Sequence, residues 1–120
     1  MNNETFREDR DPIIGIQTPW GTAQSVDKIA EGLFFISTPS HGGYWVSQER
    51  LGRMPLVLLT PSRFYTVGSQ WFEEDVEAAR VVLAFPDLFE PEAYEGAETT
   101  MEATHPAIMA AFRQGAGRRV

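Results

Sequence analysis

The fold of this chain is decided by one stretch, LFFISTPSHGGYWV at residues 33–46. Its two ends, 33–38 and 44–46, are rich in the aromatic and β-branched residues that pleated strands prefer. Between them, Pro39 and the paired glycines at 42–43 are typical of a connection. We therefore predict two neighbouring antiparallel strands.

The segment before this stretch predicts a further strand. Residues 23–30 are read as extended, and Glu31-Gly32 favours a hairpin-type turn into the next strand. Farther upstream, residues 12–16 are expected to form a short strand or a lead-in, and Thr18-Pro19-Trp20-Gly21 is typical of a turn. Trp20 is then expected to fold back onto the core.

Downstream of residue 46 the pattern becomes helical. Ser47 can cap a short helix over 48–53. Pro91 and Pro106 suit the first positions of two later helices. A helix over 70–85, after Ser69 and before Pro86, is predicted from apolar residues at helical spacing: Phe72, Val76, Ala79 and Leu83.

These elements indicate an α+β fold, with a small antiparallel sheet of three to four strands in the N-terminal half packed against C-terminal helices. A chain of 120 residues that is 42% hydrophobic can bury one core but not two. We expect a flexible arm at 1–12, a single domain at 13–114 and a frayed end at 115–120.

Composition excludes several classes of protein. The chain has no cysteine, so it has neither a disulfide framework nor a thiolate metal site, and this fits a reducing compartment. Residues 1–12 lack the apolar centre of a secretory signal, and no apolar run approaches the roughly 18 residues of a membrane span. The expected location is the cytoplasm, with no membrane partner.

The net charge of −7 is concentrated in one segment. Residues 73–102 contain ten acidic residues against Arg80 alone, which gives this segment −9 and leaves +2 for the rest. Such a field attracts cationic partners and repels nucleic acid, so we expect no direct nucleic-acid binding. The acids are either the solvated faces of ordinary helices or a docking surface. In the second case the partner-binding residues are Glu73, Glu74, Asp75, Glu77, Glu92, Glu95 and Glu98.

A second candidate region is the loop Ser40-His41-Gly42-Gly43-Tyr44, expected to bind a ligand or to be an active loop. Its paired glycines permit close approach of backbone N–H groups to a ligand, and histidine titrates near neutral pH. Ser40 or Tyr44 is then the expected neighbour of His41 in proton transfer. Paired glycines are also common in strand connections for steric reasons alone. No flanking motif fixes a reaction, so we assign no catalytic residue and favour a non-enzymatic role.

Neither a metal site nor a cofactor is predicted. Carboxylates at 73–77 are the oxygen ligands that hard cations prefer, but on a helix they point progressively apart. No second histidine stands at ligand spacing from His105. Phosphate-loop, dinucleotide and nucleophile-elbow motifs are absent from the sequence.

Three short motifs carry a resemblance: residues 18–24 (TPWGTAQ), residues 40–43 (SHGG), and residues 71–75 (WFEED) with Phe85-Pro86. They resemble an uncharacterised family of small acidic domains encoded on proteobacterial plasmids, phages and integrative elements. The resemblance implies a counter-defence role, such as that of anti-CRISPR or anti-restriction proteins. Its implied partner is a basic surface on a host protein or ribonucleoprotein, for example a type I CRISPR effector.

The leading hypothesis is therefore a non-enzymatic inhibitor that binds such a complex through an anionic helical surface. Carboxylates one helical turn apart are separated by roughly 5–6 Å, comparable with phosphate spacing, so DNA mimicry is geometrically available. Two alternatives stay open. One is a small enzyme that uses the loop at 40–44, and the other is a structural or regulatory module, monomeric or a homodimer that buries Trp45 or Trp71.

Overall fold

The computed structural model describes residues 9–115. Two short strands come first, β1 (Gln17–Thr18) and β2 (Gly21–Thr22). The main strands are β3 (Ser25–Ala30), β4 (Leu33–Ser37), β5 (Gly42–Val46) and β6 (Trp71–Glu73). The helices are α1 (Gln48–Leu51), α2 (Ala78–Ala84), α3 (Pro91–Thr104) and α4 (Pro106–Arg113), with 3-10 turns at Leu56–Leu59 and Pro86–Leu88.

The main sheet is a four-stranded antiparallel meander in the order β3-β4-β5-β6. The two strands predicted from residues 33–46 pair with Phe35 opposite Tyr44. A two-stranded ribbon, β1-β2, precedes them, and the helices follow. The predicted α+β class is therefore confirmed. Within residues 9–115 no helix has the length and apolarity needed to cross a lipid bilayer.

One face of the main sheet forms the larger core. Because side chains alternate along a strand, Leu33, Val46 and Phe72 all lie on this face, and each is fully buried. They belong to the same apolar cluster as Val81 of α2 and Met101 of α3. The helices are therefore held to the sheet by hydrophobic burial, at roughly 1.5–3 kcal/mol for each large side chain.

The opposite face of the sheet is covered by the N-terminal segment. Phe34, Ile36 and Trp45 are buried there and pack with Ala23 and Ile16. Since β4 and β5 are covered on both faces, their sequences are almost continuously apolar rather than alternating.

The prediction of a helix over 70–85 is wrong for its first half. Residues 71–73 form β6, which pairs with β5, and the helix begins only at Ala78. Phe72 and Val76 fit helical spacing, but the open edge of β5 offers backbone hydrogen bonds to an aromatic segment that also suits a strand.

The remaining elements agree more closely with expectation. Ser47 caps α1 by accepting from the Arg50 N–H, and prolines begin α3 and α4 as predicted. No strand forms at 12–16, because Ile13 and Ile14 lie in a turn and Gly15 adopts a φ of +97°. The predicted arm lies outside the described residues except at 9–12, where Pro12 is buried. Of the predicted frayed end only Gly115 is described.

A buried ion pair lies at the start of α2, and its arginine also joins this helix to the segment before β6. Arg80 Nε donates to Glu77 Oε1 at 2.6 Å, and the two side chains are 0% and 1% exposed. Arg80 Nη1 also donates to the carbonyl oxygens of Leu58, at 2.9 Å, and Thr60, at 2.6 Å. Glu77 had been expected on an exposed docking surface. Its burial removes it from that set.

The other oxygen of Glu77 extends this network. Its Oε2 accepts from Ser62 Oγ at 3.3 Å and lies 3.4 Å from His105 Nε2, at the junction of α3 and α4. The Arg80 guanidinium lies 4.9 Å from the centre of the Tyr65 ring. Burial raises the pKa of Tyr65 to about 12, although the positive charge of Arg80 opposes this shift. These polar contacts connect three segments that are distant in sequence.

Replacing Arg80 with Met is expected to lower the free energy of unfolding by about 3–5 kcal/mol, because it leaves the buried Glu77 carboxylate without its cation. Urea denaturation followed by circular dichroism measures this loss. Arg53→Met is the matched control, since Arg53 pairs with Glu49 at the surface and should change stability little. Equal losses in the two variants would contradict a structural role for the buried pair.

Candidate functional site

The candidate site is assembled by the pairing of β5 with β6. Gly43 lies opposite Glu73, and the Glu74 N–H donates to the Gly42 carbonyl at 2.9 Å, so the pairing continues past the end of β6. Side chains two residues apart share a face of a strand. Glu73 therefore follows Trp71 on one face of β6. Asp75 lies in the turn after this strand, and Asp75 and His41 line the same cleft as Glu73.

Trp20 covers this face from the turn between β1 and β2. Thr18 shapes the turn, because its Oγ1 donates to the Gly21 carbonyl at 2.8 Å and accepts from the Trp20 N–H at 3.0 Å. The Trp20 ring meets Trp71 edge to face, with ring centres 5.6 Å apart. Trp20 was expected to fold back onto the core; it is partly buried and packs against Trp71, which borders the second apolar cluster.

Gly43 makes this arrangement sterically feasible. A Cβ atom at this position would lie 2.5 Å from Cη2 of Trp20 and 2.3 Å from the carbonyl oxygen of Phe72. Both distances are far shorter than van der Waals contact, and the carbonyl belongs to the paired strand. The absence of a side chain at residue 43 is therefore required both for the seat of Trp20 and for the pairing of β5 with β6.

A cleft of about 480 Å³ opens beside Trp20, and we call it the tryptophan cleft. Its apolar walls come from Trp20, Phe64 and Val76, and its polar lining comes from His41, Glu73 and Asp75. Phe64 is 69% exposed although it is a large apolar residue. The cleft thus combines aromatic walls with one imidazole and two carboxylates.

The three polar groups of the cleft lie close together. One ligand atom from each of His41, Glu73 and Asp75 lies within 4.8 Å of the others, and His41 Nδ1 is 3.7 Å from Glu73 Oε2. Glu73 Oε1 accepts from the Asp75 N–H at 3.1 Å. Partial burial raises the pKa of Glu73, and hydrogen bonds from the backbone of Asp75 and Val76 oppose the rise.

This cluster was not predicted from the sequence. The helical assignment placed Glu73 and Asp75 on a different element from His41, and a metal site was not expected. The signal that could have found it is the short aromatic segment Trp71-Phe72-Glu73. Read as a strand, this segment places Trp71 and Glu73 on one face and Phe72 on the other.

The side chains of the predicted loop at 40–44 do not face one common site. Ser40 is exposed, with its Oγ donating to the Trp20 carbonyl at 3.5 Å. Tyr44 lies on the other face of the sheet, where its ring packs 5.1 Å from Phe35 and 5.7 Å from Phe89. Tyr44 is therefore not the expected neighbour of His41. Gly42 and Gly43 are both buried within β5, and of this loop only His41 contributes its side chain to the tryptophan cleft.

The predicted partner-binding acids are placed in several environments. Glu74, Asp75, Glu92 and Glu95 are exposed and form no ion pair within residues 9–115. Glu98 instead lies 3.6 Å from Arg113, which also pairs with Glu102. The acids therefore do not all belong to one unpaired surface.

A second, smaller depression is lined by part of this acidic set. A groove of about 240 Å³ runs between the sheet and α3, and we call it the α3 groove. Glu74 and Asp75 line one side and Ala93 and Thr100 the other, while Glu92 precedes Ala93 in the first turn of α3. Glu95 is two residues past Ala93 and so points about 200° away around the helix.

The fold and these two depressions define a small α+β domain with acidic groups gathered at one end of its sheet. The chain belongs to the family described as Domain of unknown function (DUF7007), whose sequence model matches residues 14–118. No curated protein and no solved structure matches the chain. Membership of an uncharacterised family is therefore confirmed.

Replacing Gly43 with Ala is expected to lower the free energy of unfolding by about 1–3 kcal/mol, because the added methyl group must displace Trp20 or separate β5 from β6. Near-ultraviolet circular dichroism should change as the Trp20–Trp71 contact is lost. Gly96→Ala is the control, since an added Cβ there meets no atom within 4 Å and a helix interior favours Ala by about 0.5–1 kcal/mol. A Gly43→Ala protein as stable as the wild type would contradict the described packing.

Proposed function

We propose that this chain is a non-enzymatic binding protein that docks a basic surface of a partner macromolecule at the α3 groove. The supporting observation is that Glu74 and Asp75 are exposed, lack ionic partners within residues 9–115, and share one groove with the first turn of α3. We call Glu74, Asp75 and Glu92 the anionic rim. Glu74 and Asp75 line the groove, and Glu92 adjoins the lining residue Ala93 in the first turn of α3.

The lining of the α3 groove suits a long basic side chain. Between the carboxylates its walls are small and apolar, formed by Ala78, Ala79, Val82 and Ala97. Lys and Arg bury their methylene stems against apolar surface while the charged head stays with polar groups. An inserted basic side chain would therefore find apolar contact along its stem and a carboxylate at its head.

The charge of the chain supports the same choice of partner. A net charge of −7 steers cationic partners toward the molecule and raises their association rate at low ionic strength. The same charge disfavours free nucleic acid. A basic protein surface is therefore the preferred target, including one that normally holds nucleic acid.

The biological setting that we propose is counter-defence by a mobile genetic element. The chain would act as an inhibitor that occupies the basic nucleic-acid channel of a host complex, such as a type I CRISPR effector. The motifs at 18–24, 40–43 and 71–75 and the net charge support this choice of setting, and the geometry of the domain does not enter into it. DNA mimicry is confined here to the exposed carboxylates, because Glu73 to Asp75 lie at a strand end instead of on a helix.

The test is inhibition of target-DNA binding by a purified type I CRISPR effector complex. Wild-type protein is expected to inhibit, with a potency that falls as salt concentration rises. The variant Glu74→Lys/Asp75→Lys/Glu92→Lys should lose at least about tenfold in potency, since three favourable charges become repulsive.

The matched control is Asp11→Lys/Glu31→Lys/Glu49→Lys, which changes net charge equally at exposed positions that do not line the α3 groove. It should retain most of the inhibition. Equal inhibition by both triple variants would refute docking at the anionic rim. Absence of inhibition by the wild type would refute this choice of partner.

A further inference from the structure

We propose that His41, Glu73 and Asp75 form a binding site for a divalent transition-metal ion, with Zn²⁺ as the ion that fits the ligand set best. The site lies in the tryptophan cleft. It is a separate activity from docking at the α3 groove: the two sites share Asp75, but the metal site uses neither Glu74 nor Glu92.

The chemistry of the three side chains points to this class of ion. Imidazole nitrogen is a ligand for zinc, copper, iron and nickel, whereas carboxylate oxygens alone favour magnesium, calcium or manganese. A set of one imidazole and two carboxylates matches the nitrogen and oxygen ligands that Zn²⁺ takes in proteins. The presence of His41 is thus what separates this cluster from an ordinary group of exposed acids.

The spacing of the ligand atoms is close to what an ion requires. With metal–ligand bonds of about 2.0–2.2 Å, two ligands of a tetrahedral ion are roughly 3.3–3.6 Å apart. His41 Nδ1 and Glu73 Oε2 are separated by 3.7 Å, and all three ligand atoms lie within 4.8 Å of one another. Adjustments of about 1 Å by the more exposed His41 and Asp75 side chains would close the site.

Glu73 is already held in an orientation suited to this role. Its Oε1 accepts from the Asp75 N–H at 3.1 Å, and its Oε2 faces His41. Hydrogen bonds of this kind orient metal-binding carboxylates. The gap of 3.7 Å to His41 Nδ1 is too long for a hydrogen bond, so the imidazole and the carboxylate do not satisfy each other. A cation between them would contact both.

The cleft also leaves room for a further ligand. Three protein ligands with an open position are typical of zinc sites that bind an exogenous group. Trp20, Phe64 and Val76 would form an apolar wall beside that position. The domain could therefore hold a metal-bound anion, such as a carboxylate, in this cleft.

Isothermal titration of the full-length, tag-free, chelator-treated protein with ZnCl₂ tests the proposal. The wild type is expected to bind one Zn²⁺ ion in a saturable manner. His41→Ala and Glu73→Gln should each weaken binding by at least about tenfold. Glu74→Gln is the matched control, because it removes a neighbouring carboxylate on the opposite face of the strand and should bind Zn²⁺ as the wild type does.

A second measurement on the unaltered chain guards against misfolded variants. In nitrogen-15 NMR spectra, Zn²⁺ should shift the ring signals of His41 and leave those of His105 in place. No saturable binding by the wild type, unchanged affinity in His41→Ala and Glu73→Gln, or a shift of His105 alone would each overturn the proposal.

Discussion

The structure depends on the pairing of β6 with the edge of β5. This pairing covers only three residue pairs in the ladder, but it is continued on both sides by Val46 N–H to the Gln70 carbonyl and Glu74 N–H to the Gly42 carbonyl, each at 2.9 Å. It places Phe72 in the core beneath the helices. On the other face the same strand supports Trp20 and sets Glu73 beside His41. The core and both depressions are thus consequences of one strand register.

Secondary structure divides the acidic segment into groups with different surroundings. Glu77 is buried in an ion pair with Arg80, and Glu98 forms an ion pair with Arg113 near the surface. Glu73 faces the tryptophan cleft, whereas Glu74, its neighbour in sequence, lines the α3 groove. This split follows from the alternation of side chains at a strand end. A charge pattern that is continuous in sequence is therefore divided between a buried ion pair, the tryptophan cleft and the α3 groove, and Asp75 lines both depressions.

Local signals were sufficient for much of the fold. The strands within 33–46, the cap at Ser47 and the prolines that begin α3 and α4 act over a few residues, and these predictions are confirmed. The helix predicted over residues 71–77 is wrong, because the conformation of this segment depends on pairing with a strand almost 30 residues earlier. Single-sequence periodicity cannot supply that register. For the same reason, the sequence identified His41 as a candidate ligand-binding residue but did not predict that Glu73 and Asp75 lie beside it.

The most direct measurement of this account is the pattern of nuclear Overhauser effects across residues 70–77 in solution. The strand register predicts cross-strand contacts that connect Tyr44 with Phe72 and Gly43 with Glu73. It also predicts weak sequential amide–amide contacts within 71–73. An unbroken series of strong amide–amide contacts from 70 to 85, without the cross-strand contacts, would show a continuous helix and contradict both the fold and the site described for this chain.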